Sequence, residues 1–195
     1  MAEKMGYETY TVDINPAMNP DLIADVATLT VGELPIEFRH PNIVWFSPPC
    51  QSYSLAGIRY HRVKIGDRFI PVSSFARKSD LIIQNGFKVI SELNPEYYFI
   101  ENPRATLRKM PFMHGIGNRH TVTYCQYGDN VMKPTDIWTN NYNWQPRKMC
   151  KNGDKCHESA PRGSKTGTQG KDGAMERGII PPELCREILE SCRSH

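Results

Sequence analysis

The sequence predicts an α/β domain, a three-layer sandwich with helices on both faces of a largely parallel sheet. Three observations predict it. In the run Ile43-Val44-Trp45-Phe46, four large apolar residues stand in succession, as in a strand covered on both faces. Ser47-Pro48-Pro49 stops that strand, because a proline pair cannot continue its ladder. A second run, Tyr97-Tyr98-Phe99-Ile100, ends in the same way on Glu101-Asn102-Pro103. Between the two, residues 79–93 place Leu81, Ile82, Ile83, Phe87, Val89, Ile90 and Leu93 on one wide helical face, the pattern of a crossover helix. Ser79 is its expected cap and Asn94-Pro95 its stop. Parallel neighbours joined in this way present Cys50 and Glu101 at one sheet edge. In open α/β sheets ligands bind at that edge.

At 195 residues the chain is long enough for one domain with a real core and short for two. Its hydrophobic content of 39% with 23% charged residues is that of an ordinary globular protein. A net charge of +3 permits a nucleic-acid partner without demanding one. No stretch approaches the roughly 18 consecutive apolar residues of a membrane span, and the first residues lack a signal peptide's apolar region. The expectation is therefore an intracellular, cytoplasmic protein (nuclear if eukaryotic) with no membrane partner. Its cysteines at positions 50, 125, 150, 156, 185 and 192 are then thiols, metal ligands or a nucleophile in preference to a disulfide framework.

Taken in order, residues 2–5 read as a helix end stopped by Gly6, and residues 7–12 as a strand closing on Asp13. An acidic residue there suits a nucleoside's ribose hydroxyls. Asp13 ahead of Asn15-Pro16 is equally simple turn chemistry. Residues 22–26 form a short strand with a second carboxylate, Asp25, whose alternative role is to cap the following turn. Residues 51–78 show no periodicity, and Arg59, His61, Arg62, Lys64, Arg68, Arg77 and Lys78 outweigh Asp67 there. Such a loop suits a phosphate backbone or is a solvated surface. Residues 121–124 and 135–139 read as a strand and its hairpin partner. From Trp144 to Gly178 the composition turns to Gly, Ser, Lys and Arg. Cys150, Cys156 and His157 within it have a spacing that can hold zinc, but no fourth ligand is identifiable, so the expectation is reduced thiols and no metal. Residues 180–189 start on a proline pair and continue at helical spacing.

Pro48-Pro49-Cys50 and Glu101-Asn102-Pro103, in this order and spacing, resemble the Pro-Cys and Glu-Asn-Pro motifs of the DNA cytosine-5 methyltransferases. The resemblance implies a Rossmann-like, S-adenosylmethionine-dependent methyltransferase sandwich acting on DNA. It implies Cys50 and Glu101 as catalytic residues and Asp13, Ile14, Asp25, Val26 and Pro48 as cofactor residues. Pro49, Gln51, Ser52, Asn102, Pro103, Arg104 and Lys133 are implied as substrate contacts. The family's opening strand and glycine-rich turn have no counterpart, so the expectation is a domain truncated at its N-terminus that holds the cofactor weakly. Tyr127-Gly128 resembles the segment before the family's arginine motif, where Lys133 stands near the first arginine and Thr135 or Asp136 at the next. Residues 140–178 fall where the family has its target-recognition region, here a short segment within a single domain of residues 1–195. The last helix resembles the family's final motif.

The implied chemistry is addition of the Cys50 thiolate to carbon 6 of cytosine, with Glu101, its pKa raised by burial, supplying a proton to ring nitrogen 3. It requires no metal. The base must leave the stack to be reached. Two alternatives remain at this stage: a non-catalytic nucleic-acid-binding remnant, and an amino-methyltransferase acting on an exocyclic nitrogen.

Overall fold

A computed structural model gives the fold and describes residues 1–159, 176 and 178–193. Arg162, Lys165 and Lys171 of the expected recognition segment lie outside the described residues. Two short strands, β1 (Val12–Asp13) and β2 (Leu22–Ile23), pair in parallel. Next come β3 (Ile43–Phe46), one helical turn α1 (Ile58–His61), and a hairpin of β4 (Arg62–Ile65) and β5 (Arg68–Pro71). The long helix α2 (Ser74–Leu93) leads into β6 (Tyr97–Pro103). β7 (Asn118–Thr123), β8 (Pro134–Thr139) and α3 (Pro182–Ser191) complete the described elements.

The main sheet runs β3-β6-β8-β7. β3 and β6 are parallel, with Ile43 opposite Tyr97 and Phe46 opposite Ile100. β8 is antiparallel to both β6 and β7. The sheet is thus α/β but mixed, where the sequence reading expects a largely parallel one. The reason is chain length between strands. Residues 124–133 join β7 to β8, which is too short for the crossover of a dozen or more residues that a parallel pair needs.

Alternation along the strands sends residues to two different cores. Ile43, Trp45, Phe99, Val122 and Ile137 pack with Leu184 and Ile188 of α3 and with Trp144. Val44, Phe46, Ile100 and Trp138 pack with Ile83 and Ile90 of α2. Helices therefore cover both faces, as the layered reading expects. A third cluster joins Leu29, Leu34, Val12 and Leu22 to Val89 and Leu93 of α2, which fixes the β1–β2 pair against the helix.

Several expected boundaries move. Residues 51–78 contain α1, the β4–β5 hairpin and the first turn of α2. The helix cap is Ser73, whose side chain accepts from the Ala76 amide at 3.1 Å. Ser79 is buried inside the helix and donates to the Phe75 carbonyl at 2.9 Å. The opening turn carries Arg77 and Lys78, so its polarity conceals it from a search for apolar periodicity. At the other end Asn94 adopts the left-handed conformation (φ 47°) and stops the helix ahead of Pro95, as expected. The strand expected over residues 7–12, closing on Asp13, is reduced to Val12–Asp13, with Asp21 accepting from the amide and hydroxyl of Thr11 beside it. Among the described residues no helix is long and apolar enough to cross a membrane.

A glycine in the middle of a helix costs about 1 kcal/mol relative to alanine, and Gly86 sits midway along α2. A Cβ there would lie 2.5 Å from the Phe46 ring, so the missing side chain is what lets α2 lie close on β3. Gly86→Val should destabilise the fold by about 1–3 kcal/mol through overpacking. Urea denaturation checks this; an unchanged midpoint would mean that the helix and strand are not in this contact.

Candidate functional site

The parallel register carries both proline-bounded motifs to one sheet edge. Because Phe46 stands opposite Ile100, Ser47-Pro48-Pro49-Cys50 leaves the sheet beside Glu101-Asn102-Pro103. The Asn102 side-chain amide donates to the Pro48 carbonyl at 2.9 Å and ties the two exits together. Asn102 is buried, and its Oδ1 has no hydrogen-bond partner among the described residues. Beyond Pro49 the chain winds into a tight turn, Gln51–Tyr53, opened by Cys50 in right-handed helical geometry, with the Tyr53 amide donating to the Cys50 carbonyl at 3.1 Å. Pro48 is buried, Pro49 and Cys50 are half-buried, and Gln51 is exposed.

Glu101 is 6% exposed and shares the face of Phe99, toward α3. Burial raises its carboxyl above the ordinary value of 4.5, while the Lys133 charge and hydrogen bonds from Tyr124 and Ser47 pull it back. The net direction is upward, so the environment favours the neutral acid. The Tyr124 hydroxyl donates to Glu101 Oε1 at 3.1 Å. Lys133 is itself buried, in positive-φ backbone (26°), with its Nζ 4.4 Å from the centre of the Tyr124 ring. Lys133, expected near a substrate, therefore stands beside the carboxyl group and the tyrosine that holds it. Sequence reasoning missed Tyr124, which reads only as the last residue of a strand.

The Cys50 turn is anchored from beneath by an ionic network. Arg62, with a fully buried side chain, forms an ion pair with Asp80 of α2, its two terminal nitrogens at 2.6 and 3.1 Å from the carboxylate oxygens. The Tyr53 hydroxyl donates to the same carboxylate at 2.6 Å, and the guanidinium lies 4.3 Å from the Tyr53 ring centre. Arg62 also donates to the carbonyl and hydroxyl of Ser52. Two expectations change here. Ser52 is fully buried and faces Arg62, and Arg62 belongs to the interior instead of the basic surface. Of the other basic residues in that stretch, Lys78 pairs with Asp25 at 2.7 Å, while Arg59, Lys64, Arg68 and Arg77 are exposed. Past the second motif Pro103 is half-buried and Arg104 exposed, its amide donating to the Pro134 carbonyl at 2.9 Å. Arg108 is drawn inward to Asp136 and Thr121.

Asp13 is the last residue of β1 and Asp25 lies two residues beyond β2, with the Ala24 amide donating to the Asp13 carbonyl. Asp13 Oδ1 accepts from the Asn15 amide at 2.7 Å, the turn chemistry seen as its alternative. Asp25 accepts from the Ala27 amide as well as from Lys78, and both contacts lower its carboxyl pKa. Ile14 is 58% exposed and Val26 half-buried.

A second constellation lies on the connection after β7. Cys150, Cys156 and His157 come together there with Cys125, and one ligand atom from each falls within 4.8 Å of all the others. Sequence spacing concealed Cys125 because the chain makes the β7–β8 hairpin and a return past Trp144 before reaching Cys150. Arg147, expected in a basic recognition surface, instead bridges Glu183 and Glu187 of α3, each at 3.0 Å.

The chain matches no protein-family model, and a search of curated proteins finds no match.

Two outcomes follow from this geometry. Asp80→Ala strips a buried guanidinium of its counter-charge and should cost about 3–5 kcal/mol of stability, measured by denaturation; a loss below about 1 kcal/mol, typical of an exposed pair, would mean that solvent reaches Arg62. Glu101 has the opposite sign from an ordinary ion-paired carboxylate. With its folded pKa raised, its contribution is full below the ordinary value of 4.5 and is lost as the pH rises through the raised value. Wild-type stability should fall across that window relative to Glu101→Gln, and parallel pH–stability curves would contradict the upward shift.

Proposed function

We propose that this protein methylates carbon 5 of cytosine in DNA, with Cys50 as nucleophile and Glu101 as acid. The observation that carries the reading is a half-buried thiol and a buried, proton-favouring carboxyl group at the exits of two adjacent parallel strands. The Cys50 thiolate adds to carbon 6, forming the sulfur–carbon bond. The displaced ring electrons move toward nitrogen 3, where Glu101 donates its proton. Carbon 5, now nucleophilic, accepts the methyl group. Loss of its proton to solvent returns the electrons to the ring as the sulfur–carbon bond breaks and the Cys50 thiolate leaves, and nitrogen 3 gives its proton back to the Glu101 carboxylate. Tyr124 and Lys133 hold Glu101 in place, and Asn102 holds the Cys50 turn against β6.

S-adenosylmethionine, when bound, supplies an electrophilic methyl group. The residues present fit its adenosine half. Asp13 ends β1 opposite Ile23, and Asp25 follows two residues beyond that partner, so both carboxylates lie at the same end of the parallel pair, where their oxygens can accept further hydrogen bonds from ribose hydroxyls. Ile14 and Val26 offer apolar surface for the purine.

A stacked cytosine exposes neither reacting atom, so DNA must present the base flipped or single-stranded. The β4–β5 hairpin suits this task. Lys64 and Arg68 are exposed for phosphates, and Val63 and Ile65 are 46% and 64% exposed, as a wedge requires.

With S-adenosylmethionine and DNA containing 5-fluorocytosine, Cys50 should form a complex stable to denaturing gels, because fluorine cannot leave carbon 5 as a proton does. Cys50→Ser should abolish it, since a hydroxyl is hardly ionised at neutral pH. Glu101→Gln should slow it by about 10²–10⁴-fold. A complex that persists in Cys50→Ser, or methylation of the exocyclic nitrogen, would overturn the mechanism in favour of an amino-methyltransferase.

A further inference from the structure

The thiols of Cys125, Cys150 and Cys156 and Nδ1 of His157 form a compact four-cornered cage. Tetrahedral zinc, with bonds of about 2.3 Å to sulfur and 2.0–2.1 Å to nitrogen, sets sulfur atoms about 3.8 Å apart and sulfur and nitrogen about 3.5 Å apart. The separations are 3.7 Å for Cys125 to Cys156, 3.5 Å for Cys156 to His157 and 3.7 Å for Cys150 to His157. Cys125 and Cys150 are closer, at 3.1 Å, yet a full ångström beyond the roughly 2.05 Å of a disulfide.

The surroundings are those of a built site. Cys125 and Cys150 are buried and pack with Met132. The Gln126 side-chain amide donates to Cys156 Sγ at 3.3 Å, and the Cys150 amide to the Thr123 hydroxyl at 3.2 Å. A turn in which the Lys151 amide donates to Asp154, with Gly153 at φ 93°, brings Cys156 back over Cys150. His157 turns Nδ1 into the cage while its Nε2 is buried with no hydrogen-bond partner among the described residues. No hydrogen bond at Nε2 fixes the ring, and Nδ1 faces the Cys150 and Cys156 thiols at distances that a shared tetrahedral metal ion would set.

We propose that Cys125, Cys150, Cys156 and His157 bind one zinc ion in a closed, structural site. Three sulfurs and one imidazole in tetrahedral array select zinc over the oxygen-seeking divalent ions. With all four positions filled by protein, no corner is open for a reacting water. Binding replaces three thiol protons by one Zn²⁺, leaving a single negative charge on the cluster, and the exposed Lys148, Lys151 and Lys155 nearby offset it. The ion fastens residues 150–157, at the base of the 140–178 segment, to the end of β7. Cys125 there adjoins Tyr124, the residue that holds Glu101. The site stands whether or not the methyl-transfer reading does.

The test is the metal content of the whole chain, purified under reducing conditions without added metal. Plasma mass spectrometry should find about one zinc per chain. After chelation, cobalt(II) should give thiolate-to-cobalt charge transfer and the intense visible bands of a tetrahedral ion. Cys156→Ser, at an exposed position, and His157→Ala should lose the zinc, while Cys50→Ser and Cys192→Ser keep it. Because Cys50→Ser retains zinc whatever it does to DNA trapping, failure of one proposal is distinguishable from failure of the other. Folded protein that holds no zinc and gives no tetrahedral cobalt spectrum, a Cys125–Cys150 disulfide in freshly isolated protein, or full zinc in both Cys156→Ser and His157→Ala would overturn the assignment.

Discussion

The parallel pairing of β3 with β6 is the constraint on which the rest of this structure depends. No tight turn can join parallel strands, so the chain between them must cross over one face of the sheet, and α2 is that crossover. Once Phe46 is opposite Ile100, alternation assigns every strand residue to the α2 side or the α3 side. The same register brings both proline-bounded motifs out together, and the single bond from Asn102 to the Pro48 carbonyl holds them in step. A slip of one residue would turn Glu101 from the α3 side to the α2 side, among different partners.

Beyond the strand ends the interior turns polar. Arg62 with Asp80 beneath the Cys50 turn, Arg108 with Asp136 at the neighbouring strand, and Glu101 with Tyr124 and Lys133 place charged or ionisable groups where an ordinary domain would place apolar ones. Desolvation makes buried ion pairs poor stabilisers, so their concentration on one edge is better understood as fixing loop positions than as strengthening the fold. Arg62 illustrates this. It reaches from the β4–β5 hairpin to the Ser52 carbonyl and the Asp80 carboxylate at once, so the hairpin, the Cys50 turn and α2 cannot move independently.

The carboxyl-terminal part is fastened by other means. Trp144 is buried against Phe99 and bonded to Glu187, and Arg147 reaches both Glu183 and Glu187, so the segment following β8 is clamped beneath α3. The Cys–His cage then takes over where this clamp ends. Among the described residues, the segment expected to read a target is thus rooted in the buried Trp144, in the ion pairs of Arg147 and in the Cys–His cluster.

By itself the sequence determined the two strands that end in the proline-bounded motifs, the helix between them, its Asn94 stop and the β7–β8 hairpin. Each of these follows from local rules: apolar runs, proline breaks and helical spacing. It also determined that Cys50 and Glu101 share an edge, because a strand–helix–strand unit leaves little choice of connection. What only the tertiary structure decided are the relations between residues far apart in the chain. The mixed sheet, Tyr124 on Glu101, Arg62 drawn inside from a basic stretch, Arg108 on Asp136, and Cys125 as the fourth corner of the cage depend on how hairpins fold back. A lysine-rich or arginine-rich segment looks the same in sequence whether its charges meet solvent or a buried carboxylate. A cysteine gives no sign of which distant ligands will join it. Periodicity encodes which face of an element is buried, while the partner met on that face is fixed only when the sheet is assembled.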